Sequence, residues 1–372
     1  MKKLIAVLIA YTTLCLAGCG GSEQVRVDLD PRLKLLRYDL PVPVQIGAVL
    51  SAGRHGAQWL PDMAPARPTF SALRQTQGAE VTSSAVEIHL DPDRRELSAS
   101  ATLQVEGTGA GTQNLEILLS AAAVDSTSCA PMSCTSTYDG TALRLELSQP
   151  LAGGQPLTVD VSWHDSGIEQ VWGDFPEGGG SILANLLDSP STYFTFGYSW
   201  LPWLNGQQSD VDVDCTVTFP GQRTVVLSGE LLEEQSSGGT TTSRWHLKLR
   251  PGGAAALALG NYQKVTGRCG SATLELLAMP GTSIDGYPIE PETYVPVMEE
   301  FCDHFEKRFG TIPVSTLRMA GVDERFRNGY SAPGLIIVPN YTFDDDGTGS
   351  FIERDFFLAH ELSHQWWGDA IT

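Results

Sequence analysis

Hydrophobic and polar residues alternate repeatedly through the middle of the chain. In the segment 97–105, Leu, Ala and Val alternate with Ser, Thr and Gln, so successive side chains point to opposite faces of an extended strand. The same pattern returns at 143–147, 157–161, 211–219 and 245–249, with Gly, Pro and Ser residues between the segments. Short strands with one buried and one solvated face predict an antiparallel β-sandwich or saddle domain over residues 81–270.

The spacing of the hydrophobic residues changes after about residue 271. From Met298 to Phe309 they recur at helical intervals, and Gly310 follows as a typical helix stop. The apolar run 335–338 predicts a buried strand, and Ser350 with Glu353 has the spacing of a capping box that starts a helix running into the last residues. Residues 271–372 are therefore predicted to begin a mixed α/β domain, which makes the chain an α+β multidomain protein.

The N-terminus has the features of an export signal. Lys2 and Lys3 precede an apolar run, 4–16, that is too short to span a bilayer. The run ends in Leu-Ala-Gly before Cys19, which resembles the lipobox of bacterial lipoproteins. This resemblance implies a signal peptide over residues 1–18, acylation of Cys19 and an extracytoplasmic protein held to a bacterial membrane by its lipid. Gly at position 20 favours the outer membrane where two membranes exist, and an ordinary signal peptide is the alternative.

Composition narrows the possible partners. Residues 19–80 contain a stretch rich in Pro, Ala and Gly without a sustained period, which predicts a tether or irregular arm. Lys and Arg number 24 against 44 Asp and Glu, a net charge of −20 that repels phosphate backbones, so nucleic acid is not an expected partner.

The seven cysteines are too sparse for a disulfide scaffold. Cys129 and Cys134 are close enough to form a surface disulfide, whereas Cys215 is expected to pack in the core.

The predicted last helix contains His360-Glu361-Leu362-Ser363-His364. Residues four apart on a helix lie on nearly the same face, so both imidazoles can bind one metal ion. Neutral imidazole is a preferred Zn²⁺ ligand, and Glu361 can reach a metal-bound water as general base. The motif therefore predicts a zinc site, and two histidines without a metal are the simpler structural alternative.

The residues around this motif, 357–369, resemble the zinc helix of the aminopeptidase N family of gluzincins. Two further segments agree in order with that family, Trp200-Leu201-Pro202 in its N-terminal saddle and the Phe-Glu-x-x-Phe-Gly helix end at 305–310. The resemblance implies a zinc-dependent peptidase that acts on peptides, with a thermolysin-like catalytic domain. It also implies a third zinc ligand, a Glu near position 383, about nineteen residues after His364. A chain that ends before this ligand is expected to be a truncated and inactive form.

One departure from the family concerns substrate binding. Where the family has Gly-Ala-Met-Glu-Asn before Pro-Gly-Leu, with the Glu contacting the substrate's free amine, this chain has Asn-Gly-Tyr-Ser-Ala at 328–332. Gly329, Tyr330, Ser331 and Ala332 are therefore the predicted substrate-binding residues. Ser331 stands in place of the Glu and carries no charge, so this position does not predict exopeptidase selectivity. Asp323 or Glu324 could replace that carboxylate, although both are expected to be solvated loop charges.

Two functional classes follow from these observations. The first is a zinc metallopeptidase in which Glu361 removes a proton from a zinc-activated water. The second is a non-catalytic surface lipoprotein that keeps the fold as a peptide-binding or scaffold module, which the neutral Ser331 would permit. The intact pair of histidines and Glu361 favour the enzyme, because a binding module has no need of ligand side chains at this spacing.

Overall fold

The computed structural model of the protein describes residues 78–109, 111–174, 181–195, 197, 200–251, 254–283, 285–344 and 351–367, with the backbone alone at 172–174, 181–182 and 351–354. The predicted signal peptide, Cys19, most of the tether and the capping-box Ser350 lie outside these residues. Among the described residues, those from 78 to 344 and from 357 to 367 belong to one compact unit. Within the described part of the chain, every helix is too short or too polar to cross a membrane.

The described residues form four β-sheets, with strands numbered β1 to β21 along the chain. A seven-stranded sheet has the order β14 (Glu230–Ser237), β15 (Thr240–Leu249), β12 (Val211–Pro220), β1 (Ala79–Asp91), β2 (Glu96–Gly107), β7 (Pro156–Ser166) and β4 (Ala123–Ala130). A five-stranded sheet has the order β13 (Thr224–Leu227), β16 (Leu257–Gly260), β10 (Ser191–Phe194), β9 (Ser181–Leu186) and β8 (Glu169–Asp174). A four-stranded sheet consists of β11 (Trp203–Leu204), β3 (Thr112–Leu118), β6 (Ala142–Leu151) and β5 (Cys134–Tyr138).

The alternating segments are strands, as predicted. In β2 every second side chain, from Leu97 to Val105, is buried, while the intervening Ser and Gln side chains are exposed. The strands β6, β7, β12 and β15 show the same alternation and contribute to one hydrophobic core that includes Trp163 and Trp245. The predominantly β architecture inferred for this region is therefore confirmed.

One strand pair departs from the antiparallel expectation. Strand β1 pairs with β12 in parallel, in register from Ser83 with Asp212 to His89 with Thr218. Alternation of period two is the same in parallel and antiparallel strands when one face is solvated, so the pattern alone does not determine direction. The long stretch of chain between the two strands permits the parallel arrangement.

A buried glutamine completes the backbone pairing where β1 has a bulge. The register of β1 against β2 shifts between Val81 and Ser83, and β12 begins to pair with β1 only at Ser83. The Gln207 side chain accepts a hydrogen bond from Val81 N at 2.8 Å and donates one to Val81 O at 2.8 Å. Because Gln207 is only 4% exposed, this amide replaces water as the partner of a buried peptide group.

The fourth sheet contains β17 (Gln263–Cys269), β18 (Ala272–Ala278), β19 (Thr316–Val322), β21 (Leu335–Pro339) and β20 (Tyr330–Ala332), in that order. The pairs β18 with β19 and β19 with β21 are parallel. Every residue of β21 is buried, which is typical of a strand covered on both faces. The predicted apolar strand at 335–338 is thus present.

Helix α1 (Val295–Phe309) packs beside β17. Met298, Cys302 and Phe305 form its buried face, and Gly310 ends it with a φ of 88°, as the spacing predicts. A disulfide joins Cys302 to Cys269 on β17, and a second joins Cys129 to Cys134. The second bond agrees with the sequence analysis. The Cys269–Cys302 disulfide was not foreseen, because isolated cysteines look like small core residues in the sequence.

Helix α2 (Phe351–Ser363) ends earlier than predicted. The Ser363 hydroxyl donates a hydrogen bond of 2.6 Å to the carbonyl of His360, the acceptor that the amide of His364 would use in a continuing α-helix. The amide of His364 bonds instead to the carbonyl of Glu361 at 3.3 Å, and the next two amides also bond three residues back. The chain therefore tightens into a 3₁₀-type turn at His364 rather than running on as an α-helix.

Candidate metal centre

Helix α2 and its terminal turn bring the two histidines of the motif together. The Nε2 atoms of His360 and His364 are 3.3 Å apart. Their ring centroids are separated by 4.9 Å, and the ring planes are nearly perpendicular, at 88°. Both nitrogens therefore converge on one point beside the helix, as the four-residue spacing predicts.

This convergence fits a tetrahedral metal ion. Zinc binds imidazole nitrogen at about 2.0 to 2.1 Å, so two tetrahedral ligands stand about 3.3 to 3.4 Å apart. The observed 3.3 Å separation equals that value without any movement of either ring. Among the described residues, no group of three or more His, Cys, Asp or Glu side chains is arranged to hold a metal. His360 and His364 could supply two of the three protein ligands that a catalytic zinc site requires.

Burial of the two imidazole rings favours their neutral form, which is the form that binds a metal ion. Burial, reinforced by the neighbouring His364, lowers the pKa of His360 to about 4. Burial also lowers the pKa of His364, and its hydrogen bond with the carbonyl of Trp367 opposes that shift. His364 Nδ1 lies 3.2 Å from this carbonyl oxygen, so the hydrogen-bond network assigns the proton to Nδ1 and leaves the lone pair on Nε2.

Glu361 lies beside the converging nitrogens. One of its carboxylate oxygens is 4.0 Å from His360 Nε2, and the residue is only 5% exposed. The carboxyl group rests directly against the backbone of Gly329, where a Cβ atom would overlap it. Gly329 therefore leaves the space that the Glu361 side chain occupies.

The strand after Gly329 is joined to the motif by Gln365. The Gln365 amide nitrogen donates to Ser331 Oγ at 2.7 Å and to Ala332 O at 3.0 Å. Its amide oxygen accepts from Gly334 N at 2.9 Å. Gly334, with a φ of 78°, follows Pro333 in the tight turn between β20 and β21, an arrangement typical of a type II turn. Gln365 itself is completely buried.

The four predicted substrate-binding residues have different environments. Gly329 contacts Glu361, and Ser331 accepts the hydrogen bond from Gln365. Tyr330 and Ala332 belong to the hydrophobic core, with exposures of 9% and 0%. Contact between a substrate and either of these two residues would therefore involve the peptide backbone.

The alternative carboxylate at Asp323 is already engaged. Its oxygens accept hydrogen bonds from the Arg325 guanidinium at 2.9 and 3.2 Å, and one of them also accepts from Arg325 N at 2.9 Å. Arg325 in turn forms an ion pair with Glu169 at 3.3 Å. Asp323 is therefore a paired loop charge at the start of the 3₁₀ helix Glu324–Phe326.

Helix α1 supports the end of the motif. Trp366 stacks on Phe305, with centroids 5.5 Å apart, and its indole nitrogen donates to the carbonyl of Gly310 at 3.0 Å. The sequence pattern predicted no role for Gln365 or Trp366. The spacing of Gln365 four residues after Glu361 was the available signal, because it places both side chains on one face of the helix that the sequence predicts.

Comparison with known proteins identifies structural neighbours. The crystal structure of an M1 zinc metallopeptidase from Deinococcus radiodurans matches with a TM-score of 0.57 and 17% identity, covering 79% of this chain and 65% of that one. A mutant of that protein bound to a Tyr-Ser-Ala substrate matches with the same values. A two-domain M1 zinc metallopeptidase mutant bound to L-tryptophan matches with a TM-score of 0.57 and 16% identity, covering 79% of this chain and 66% of that one.

No protein-family model matches the chain, and no curated protein sequence matches it. The present chain spans slightly less than two thirds of the length of the structural neighbours described above. At 16 to 17% identity the likeness concerns the fold. The described part of this chain accordingly has a mostly β fold that matches the β-domain at the N-terminus of M1 zinc metallopeptidases.

Proposed function

We propose that the protein is a zinc-dependent metallopeptidase of the aminopeptidase N type. The observation that carries the proposal is the 3.3 Å separation of His360 Nε2 and His364 Nε2, with the buried Glu361 carboxylate 4.0 Å from the first of them. Two imidazoles at the distance of tetrahedral ligands and an adjacent carboxylate are two of the three protein ligands and the general base that zinc-assisted hydrolysis of an amide requires. The neighbours' likeness in fold supports the same reaction class.

His360 and His364 would hold the metal as neutral ligands. Bound zinc would supply Lewis-acid polarisation of the scissile carbonyl and would make a water more acidic. The Glu361 carboxylate would take the proton from the attacking water and later return it to the leaving amine. Because Glu361 is 5% exposed, bulk water has little access to this proton during the transfer.

We propose the same two domains, with the same boundaries, that the sequence predicts. Residues 81–270 form the saddle domain, and residues 271–372 are the first part of a thermolysin-like catalytic domain. The hairpin of β17 and β18 crosses this boundary, and the Cys269–Cys302 disulfide joins its two sides. The third ligand is proposed to be a Glu near position 383. A protein ending at Thr372 is then expected to bind zinc weakly and to lack turnover.

Substrate selectivity is proposed to differ from that of an ordinary aminopeptidase. The hydroxyl of Ser331 carries no charge to pair with a free α-amine, and it accepts a hydrogen bond from Gln365. A carboxylate at this place would contribute a charge-assisted contact of about 1.5 to 3 kcal/mol. We therefore expect free and N-acetylated peptides to be hydrolysed at more similar rates than such a contact would allow.

The location of the protein is also a proposal, because Cys19 lies outside the described residues. The lipobox-like sequence supports export and anchoring through acyl chains on that cysteine. In the bacterial host, the mature protein should begin at Cys19 and carry the mass of the acyl chains, whereas Cys19→Ala should lack them. An unlipidated mature form that begins elsewhere would refute the anchor.

The activity is tested by comparing the protein that ends at Thr372 with one that extends beyond position 383. The longer protein should bind one zinc ion and hydrolyse peptides, and Glu361→Gln should abolish hydrolysis while zinc binding remains. Glu300→Gln is the matched control, because Glu300 is exposed on α1 and outside the metal centre. Stoichiometric zinc without any turnover would favour the alternative, a peptide-binding surface lipoprotein.

A further inference from the structure

The site contains a connection between Gln365 and the hairpin of β20 and β21. Three of the hydrogen bonds of Gln365, at 2.7, 2.9 and 3.0 Å, reach both sides of the Pro333-Gly334 turn. The carbonyl of Gly334 accepts a further bond from Arg318 N at 2.9 Å, so the neighbouring strand β19 holds the same turn. The position of the hairpin along the motif is therefore fixed by directional bonds and does not depend on apolar packing alone.

The same hairpin forms the surface on which Glu361 rests. Gly329 immediately precedes β20, and its Cα faces the Glu361 carboxyl group without room for another atom. Glu361 and Gln365 are four residues apart and face the hairpin together, while His360 and His364 face the metal position. A sliding of the hairpin by a fraction of an ångström would change the contact of Gly329 with Glu361.

We propose that Gln365 is a positioning residue, which holds the hairpin at the register that seats the Glu361 carboxylate against Gly329. The hydroxyl of Ser331 contributes to this connection as an acceptor for the Gln365 amide. This inference rests on the proposed function, since Glu361 is the residue whose placement would affect hydrolysis. Misplacement of a catalytic group by about 1 Å can lower a rate about 100-fold.

The decisive variant is Gln365→Met, which keeps the approximate volume of the side chain and removes its hydrogen bonds. Gln207→Met is the matched control, because Gln207 also bridges a buried peptide group through its amide, at 2.8 Å in both directions. Both variants lose buried hydrogen bonds, but only the first lies against the site. Ser331→Ala removes one acceptor and leaves the bond that Gln365 donates to Ala332 O and the bond that it accepts from Gly334 N.

We expect Gln365→Met to speed hydrogen exchange of the Gly334 amide at least tenfold and to shift the Gly329 amide resonance in the 372-residue chain. In the longer protein it should lower kcat about 10- to 100-fold, with KM and zinc affinity changed less than threefold. Gln207→Met should alter neither the two amides nor kcat, even where it lowers the melting temperature. Ser331→Ala should change amide exchange and kcat less than Gln365→Met does.

Unchanged exchange at Gly334, or an unchanged kcat in folded Gln365→Met with zinc bound, would overturn the inference. An equal loss of kcat in Gln207→Met would overturn it too, because general destabilisation would then explain both results. If the unaltered longer protein binds zinc but hydrolyses no peptide, the proposed function fails. The exchange rate and the Gly329 resonance then decide the positioning role by themselves.

Discussion

Two buried glutamines show how the same chemistry serves two regions of this molecule. Gln207 bonds to the peptide group of Val81 at a bulge in the seven-stranded sheet, and Gln365 bonds to a tight turn beside the candidate metal centre. In the sheet, the amide completes pairing that the bulge interrupts. At the site, it sets the position of one element along another. A buried amide can therefore maintain a framework or position a reactive group, and its neighbours determine which.

The strands of the two regions also differ, in how many of their side chains are buried. Strand β2 alternates buried and exposed residues, so half of its side chains face solvent and contribute little to packing. Strand β21 is buried at every residue and lies between β19 and β20. A substitution in β21 therefore disturbs packing wherever it falls, whereas the effect in β2 depends on which face is altered.

The largest expected effect tests this difference in packing. Ile337→Ala removes a fully buried side chain from β21 and should lower the free energy of unfolding by about 2 to 5 kcal/mol. Ser100→Ala on the solvated face of β2 should change it by less than about 0.5 kcal/mol. Urea unfolding of both variants measures the contrast, and similar values for the two positions would contradict it.

The next effect concerns the contact of Gly329 with Glu361. A Cβ atom at position 329 would overlap the carboxyl group, so Gly329→Ala should displace Glu361 and lower hydrolysis by about 100-fold. The displaced atoms are the end of a side chain, so thermal stability should change little. Glu361→Asp in the same protein shortens the acid and should recover part of the rate lost by the alanine variant. A fully active Gly329→Ala would show that the carboxylate does not depend on this contact.

The smallest effect is a pH dependence of the metal-free protein. The pKa of His360 is about 4 in the folded state, against an ordinary value of about 6.5 in an unfolded chain. Between these values the unfolded chain binds more protons, so stability present above pH 6.5 is progressively lost as the pH falls toward 4. Urea midpoints from pH 7 to 4.5 should therefore decline, and less steeply in His360→Gln. Equal slopes in both proteins would contradict this account.

The sequence was informative where a local period determines structure. Alternation identified the solvated strands, and the spacing of His360 and His364 anticipated their convergence, because both follow from the geometry of a single element. The direction of β12 against β1, the partner of Cys302 and the bonds of Gln365 were not foreseen. Each depends on residues distant in the chain, and the side chains involved look like ordinary core or polar residues before the elements are placed.

The end of helix α2 shows the same limit on a smaller scale. Periodicity predicted that the helix continues, but one hydroxyl, that of Ser363, occupies the carbonyl needed for the next turn. Such competition between a side chain and the backbone depends on a single rotamer, which no hydrophobic pattern records. The separation of the two histidines remains suitable for a metal even so.

The central place of β1 in the seven-stranded sheet has a consequence for biosynthesis. This strand has β2 on one side and β12 on the other, and β15 and β14 extend the sheet beyond β12. Strand β1 emerges from the ribosome long before β12, β14 and β15 have been synthesised. The edge of β1 that pairs with β12 therefore has no partner strand at first, and the sheet is incomplete until Leu249 has emerged. The seven-stranded sheet is therefore among the last parts of this region to reach its complete set of strand pairs during synthesis.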